Sequence, residues 1–262
     1  MNESSAELSG LSATERTRHR RLREKGRTDR AALYEVLRAG FICHLGVISG
    51  GVPMVVPTVY GFDADNLYVH GSAASRSLTG REPSRSRNGS ESPDAGADAG
   101  TDARQDAPGG SGAETSAALG TVCVTVTHVD GLVLARSVFE HGVNYRSAMV
   151  YGVPRKLEDE EKLTALRILT EHSAPGQWDY ARQPSRKELA ATTILAISLA
   201  EASVKMSSGP PDDGEGPDAA LGLWAGVLPI ATTWLAPIPD PLLPEGLTPP
   251  DHIGVRAGTR LS

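Results

Sequence analysis

The chain has 262 residues, enough for one large domain or two small ones, and its 39% hydrophobic content is low for a globular protein, so some part of it must be strongly polar. A formal net charge of −6 without a dominant basic stripe argues against a nucleic-acid partner. No apolar run approaches the about 20 residues that span a bilayer, and the first stretch, MNESSAELSGLSATERTRHRRLREKGR, lacks the apolar core of a secretory signal, so a cytoplasmic protein with no membrane partner is expected.

Residues 1–27 read as a flexible polar tail with a basic cluster from Arg16 to Arg23. Thr28 is the expected cap of a helix over 29–39 that stops at Gly40, with Ala32, Leu33, Val36 and Leu37 on one face. FICHLGVI (41–48) reads as a strand and SGG (49–51) as a tight turn. The runs MVVPTVYGF and NLYVHGS flank the turn residues DADN, a hairpin signal, which makes an antiparallel meander of three strands. The third strand breaks into GSAASRS. That segment offers backbone N–H groups, three serine hydroxyls and one arginine at an expected helix start, an arrangement that suits a phosphate.

Residues 79–119 hold Gly, Ser, Asp, Ala and Pro and almost nothing apolar, so they are expected to form a disordered insertion in a loop. TVCVTVTHVDG (121–131) alternates and ends in the turn signal Asp130-Gly131, with LVLARSVF continuing as strand. YRSAMVYGVPRKL reads as a long strand bent at Gly152 and Pro154. A helix then starts at Asp159, lined by Leu163, Leu166, Ile168 and Leu169, and Ser185 caps a short one over RKELAAT. TILAISLAEASVKM (193–206) reads as one strand and 223–239 as a last one, running into a proline-rich tail (240–262) with no regular structure. This order lacks the strand–helix rhythm of a doubly wound sheet and fits a small closed antiparallel barrel with peripheral helices.

Few residues suggest chemistry. Cys43 and Cys123 sit in apolar runs and read as small buried hydrophobes of a reducing compartment. None of the seven histidines pairs at zinc-site spacing, so no metal is expected. Cys43 and His44 are strand neighbours that point to opposite faces and form no dyad. Neither GxSxG, a Walker loop nor a strand-linked GxGxxG occurs. His70 stands out because it precedes the serine-rich turn by two residues. It is either a structural histidine under that turn or one facing a ligand bound there. Tyr145 and Ser147 share one face of their strand and Arg146 takes the other, where a surface carboxylate could pair with it. Lys205 ends a strand, and Trp224 follows a polar loop as an aromatic that suits a flat cofactor or a core.

Together VPTVYGFDADNLYVHGSAASRSL, VCVTVTHVDGLVLARSVFEHGVNYRSAMVYGVPRKL and ELAAT…EASVKM…WAGVLP resemble the flavin-binding split-barrel family related to pyridoxamine 5′-phosphate oxidase, and within it the nitroimidazole-resistance (Nim-type) branch. The resemblance spans 28–239 apart from the insertion. It implies a mainly β domain with peripheral helices, a six-stranded antiparallel split β-barrel that dimerises and binds FMN at the subunit interface. It places Ser72, Ser75 and Arg76 on the FMN phosphate and the backbone of Pro57, Thr58, Val59 and Tyr60 along the ring. His70 would lie near ring and substrate as the catalytic residue, and Tyr145, Arg146 and Ser147 on the strand across the barrel. Lys205 and Trp224 would approach from the C-terminal part. The arginine-rich substrate segment of the pyridoxamine-phosphate enzymes is replaced by WAGVLPIATTW. The implied activity is flavin-dependent oxidoreduction of a small molecule. The alternatives are a non-catalytic flavin carrier, or a barrel using the deazaflavin F420 or haem, as in related proteins of high-GC bacteria.

Overall fold

The computed structural model describes residues 10, 11, 14–72 and 119–261. Helix α1 (Arg30–Arg38) starts one residue later than expected, because the Asp29 carboxylate rather than Thr28 accepts from the Ala32 N–H at 2.8 Å. Strands β2 (Ile42–Ser49) and β3 (Val52–Phe62) pair antiparallel across Gly50 and Gly51, whose φ values of 58° and 74° fit a hairpin turn open to glycine. β3 turns into β4 (Asn66–Ser72) through Asp63, whose carboxylate accepts from the Asp65 and Asn66 N–H groups.

β5 (Val122–Leu134) runs straight through Asp130-Gly131. The expected turn there is instead a bulge, where the register against β6 (Gly142–Gly152) shifts between Val129 and Gly131. The two-residue strand β7 (Arg155–Lys156) follows the bend at Gly152 and Pro154. Three helices come next, α2 (Asp159–Ser173), α3 (Gln177–Tyr180) and α4 (Arg186–Ala191), the last held by a capping box between Ser185 and Glu188.

The single strand expected over 193–206 is two, β8 (Thr192–Ser198) and β9 (Ala202–Ser207). β8 pairs with β4 and β9 with β6, so the chain must cross between them. At the crossing Leu199 N–H donates to the Asp65 carbonyl and Tyr151 N–H to the Glu201 carbonyl. Short pieces extend the sheet further: β1 (Gly26–Arg27) on β9, and β10 (Gly226–Pro229) on β5, all that forms of the strand expected over 223–239. The described residues thus form one antiparallel sheet of ten strands, ordered β1-β9-β6-β5-β2-β3-β4-β8-β7 with β10 beside β5, in place of six.

Its concave side packs on α1 through Leu33, Val36, Leu37, Leu45, Val69, Val124 and Val204, all at most 1% exposed. A second cluster, Tyr68, Leu157, Ala165, Leu169, Ile194 and Ala196, seats α2 on the opposite side of β4 and β8. Both flanking segments tie back to this body. Thr14 and Arg16 bond the Glu201 carboxylate, at 2.6 and 2.7 Å. The end of the chain forms α5 (Asp251–Gly254) and a bridge between Thr233 and Arg260. There Arg256 stacks 4.1 Å above the Trp234 ring and donates to the Ser173 carbonyl, while Trp234 stacks on Phe41.

Candidate functional site on the outer face of the sheet

Alternation in β2 sends Cys43, Leu45 and Val47 into the core and leaves Ile42, His44 and Ile48 on the outer face. Across it, β3 contributes Val55, Pro57 and Val59, β5 contributes Thr125 and Thr127, and β6 contributes Tyr145, Ser147 and Met149. Register aligns these residues in rows. Pro57, His44, Thr125, Met149 and Ser203 form one; Thr127, Ser147 and Lys205 belong to the next. The face is apolar yet open: Ile42 is 44% and Val55 65% exposed. An apolar sheet face of this kind is a binding or contact surface.

His70 closes one end. It follows Val69, which is paired with Tyr60 inside the core, so it shares the outer face with Val59. Its Nδ1 is buried and has no hydrogen-bond partner among the described residues, and burial lowers its pKa, so the ring is neutral at pH 7. A buried polar atom without a partner is costly, and one at the edge of an open face suits a bound group. Ser72 ends β4, where the serine-rich stretch of the sequence begins. Ser75 and Arg76 lie outside the described residues.

The other expected site residues divide. Pro57, Val59, Tyr145 and Ser147 come together on the outer face. Thr58 pairs with Cys43 and points inward. Tyr60 is fully buried, its hydroxyl donating to the Leu37 carbonyl at 2.6 Å, so both could meet a ring only through their backbone. Arg146 takes the opposite side of β6, where it binds the Asp130 carboxylate at 2.9 and 3.0 Å, and that bond holds its charge. Lys205 stands at the β9 edge of the face with its ammonium 3.4 Å from the Arg21 carbonyl. Trp224 is 70% exposed next to β10, which pairs with the far end of β5, well away from the Thr125 row of the same chain. His44, Ile42 and Met149 were absent from the expected set. The signal for Ile42 and His44 was present in ICHLGVI, which carries apolar residues at both parities, the mark of a strand covered on both sides.

A family model described as pyridoxamine 5′-phosphate oxidase matches residues 29–92 and 107–206. None of the curated proteins matches the chain. Among solved structures, the flavocytochrome Anf3 from Azotobacter vinelandii is 32% identical, with 94% of this chain and 98% of that one covered and a TM-score of 0.74. The FAD and heme binding protein from Mycobacterium smegmatis is 30% identical, with 90% and 98% covered and a TM-score of 0.72. A structure described as a 5-nitroimidazole antibiotic resistance protein from Bacteroides thetaiotaomicron VPI-5482 is 20% identical over 69% and 85%, with a TM-score of 0.45.

Proposed function

The chain belongs to the pyridoxamine 5′-phosphate oxidase family, and from that membership we propose that it is a flavin-binding redox protein acting on a small molecule, a homodimer with its flavin at the subunit interface. One observation carries the reading: the open apolar face bearing Pro57 and Val59 ends at His70, whose Nδ1 has no partner among the described residues, two residues before the serine-rich stretch of the sequence. The ring would lie along the β3 backbone, and Ser72, Ser75 and Arg76 would hold the phosphate. Tyr145 and Ser147 would limit the pocket from β6. A bound flavin supplies hydride and electron transfer. The protein's share is to bind and orient: His70, neutral and half-buried, presents Nδ1 as one donor or acceptor toward ring or substrate.

The purified protein is expected to be yellow and to release FMN or FAD, identified by mass after denaturation. Losing a charge-assisted phosphate contact costs about 1.5–3 kcal/mol, so Arg76→Ala should weaken flavin binding roughly tenfold to a hundredfold in a fluorescence titration. Wild-type affinity in that variant would overturn the phosphate assignment. A yellow protein that no nicotinamide or small-molecule donor reduces would instead be a carrier, and a deazaflavin spectrum would point to F420.

A second reading adds haem. It is favoured by the two relatives at 30% identity or more, described as a flavocytochrome and as an FAD and heme binding protein, and by an open face with imidazole and thioether side chains. A Soret band in the purified or hemin-reconstituted protein tests it.

A further inference from the structure

We propose that the returning C-terminal segment and the ends of α1 and α2 build a second binding site, apart from the outer face, for a small aromatic carboxylate. A cavity of about 450 Å³ opens between them, with Arg38, Arg256 and Arg260 in its wall. That volume holds a small organic molecule. None of its lining residues belongs to the outer face, so occupancy here is independent of the flavin and haem readings.

The charge in this cavity is one-sided. Three guanidinium groups line it, and among the described residues no carboxylate does. Arg16, Arg136, Arg146, Arg155 and Arg182 each bind a carboxylate elsewhere in the fold, whereas Arg38, Arg256 and Arg260 have no ion-pair partner among the described residues. Two acids on the adjoining surface beyond Arg38 are already taken. Glu171 accepts from the Gly176 and Trp178 N–H groups, and Asp63 from the Asp65 and Asn66 N–H groups and the Tyr68 hydroxyl. A cleft lined by one sign of charge concentrates the opposite sign.

Arg256 is set in place before any ligand arrives. It stacks 4.1 Å above Trp234, which stacks on Phe41 with ring centroids 5.7 Å apart, and one of its N–H groups donates to the Ser173 carbonyl at 3.0 Å. Its remaining donors have no partner among the described residues. Backbone bonds fix the segment that carries it: Trp234 N–H donates to the Thr259 carbonyl, Gly258 N–H to the Trp234 carbonyl and Leu261 N–H to the Thr232 carbonyl. The bridge to Thr233 holds Arg260 in the same pairing. Such preset forks match carboxylate geometry, which takes two parallel N–H bonds from one guanidinium. Between the arginines the wall is apolar, with Phe41, Pro175, Val255 and Leu261, and suits a ring rather than a bare inorganic anion.

The full-length protein, with whatever flavin it carries on purification, would be titrated with isophthalate, with its neutral analogue isophthalamide and with inorganic phosphate. Calorimetry gives the affinity, and tryptophan emission reports on Trp234. Isophthalate is expected to saturate one site per chain and to change the emission. Isophthalamide should not bind, and phosphate should bind at least about tenfold more weakly. Arg38→Gln and Arg260→Gln, both exposed positions, should each weaken isophthalate roughly tenfold to a hundredfold with far-UV circular dichroism unchanged, the range for one lost charge-assisted contact. Trp234→Phe should remove the emission change. Wild-type affinity in both arginine variants, phosphate binding as tight as isophthalate, or loss of the flavin absorbance on adding isophthalate overturns the site. So does a wild type that binds no isophthalate, and that result leaves the flavin reading intact.

Discussion

Tyr60 shows how a residue can border a site and still belong to the core. Its ring is sealed between β3 and α1, and its hydroxyl satisfies the Leu37 carbonyl near the end of the helix. Tyr60→Phe leaves that buried carbonyl short of a donor, at a cost of about 1–2 kcal/mol. Thermal denaturation should drop by a few degrees while flavin affinity holds, because only the Tyr60 backbone can reach the ring. Cys43 behaves similarly. Burial beneath the outer face pushes its thiol up to about 12, so it is protonated at pH 8 and inaccessible. A thiol titration of the native protein should label Cys123, which is half-buried, well before Cys43, and peptide mapping should find Cys43 modified only after unfolding.

At the scale of elements, the contact between β3 and α2 decides where the outer face stops. At Gly61 the strand passes so close to the helix that a Cβ would lie 2.8 Å from the Leu169 Cα and 3.0 Å from the Ile168 carbonyl. Those atoms are backbone and cannot swing aside. Gly61→Ala should therefore destabilise the protein by about 1–3 kcal/mol through overpacking, and, because α2 packs on the cluster that holds Ile194, the cross-strand partner of His70, should raise the flavin dissociation constant too. A variant as stable as wild type would show that α2 has room to shift. The crossing at Leu199–Glu201 is the second element-level device: it lets one continuous apolar run serve two distant strands, β4 and β6.

At the scale of the molecule, four histidines, His19, His70, His128 and His172, have pKa values lowered from 6.5, with burial the largest cause in each. The native state then binds fewer protons than the unfolded chain once pH falls below about 6.5. Stability is unaffected by them above that pH and declines as pH drops through 6.5 toward their folded values. Urea midpoints should fall between pH 7.5 and pH 5.5, and replacing His172, which bonds Gly40 and packs on Tyr60 and Phe62, should flatten the slope. An equal midpoint at both pH values would contradict the shared direction.

The sequence by itself determined the local pieces. Asp63 and the Gly50-Gly51 pair specify their turns, Ser185 and Glu188 their capping box, and the alternation in 121–129 and 145–151 the inward residues of β5 and β6, because these depend on interactions a few residues apart. Family membership was legible too, in the combination of motifs rather than in any one of them. Only the tertiary structure decided the strand count, the break of 193–206 into β8 and β9, the conversion of Asp130-Gly131 from turn to bulge, and the return of residues 251–261 onto α2 and α3. It also decided which polar residues share a face: Arg146 faces Asp130 away from the outer surface, while His44, set aside as no dyad with Cys43, lies in its middle. The physical reason is common to all of these. Pairing register and sheet curvature come from partners far apart in the chain, and a shift of one residue moves a side chain to the other face.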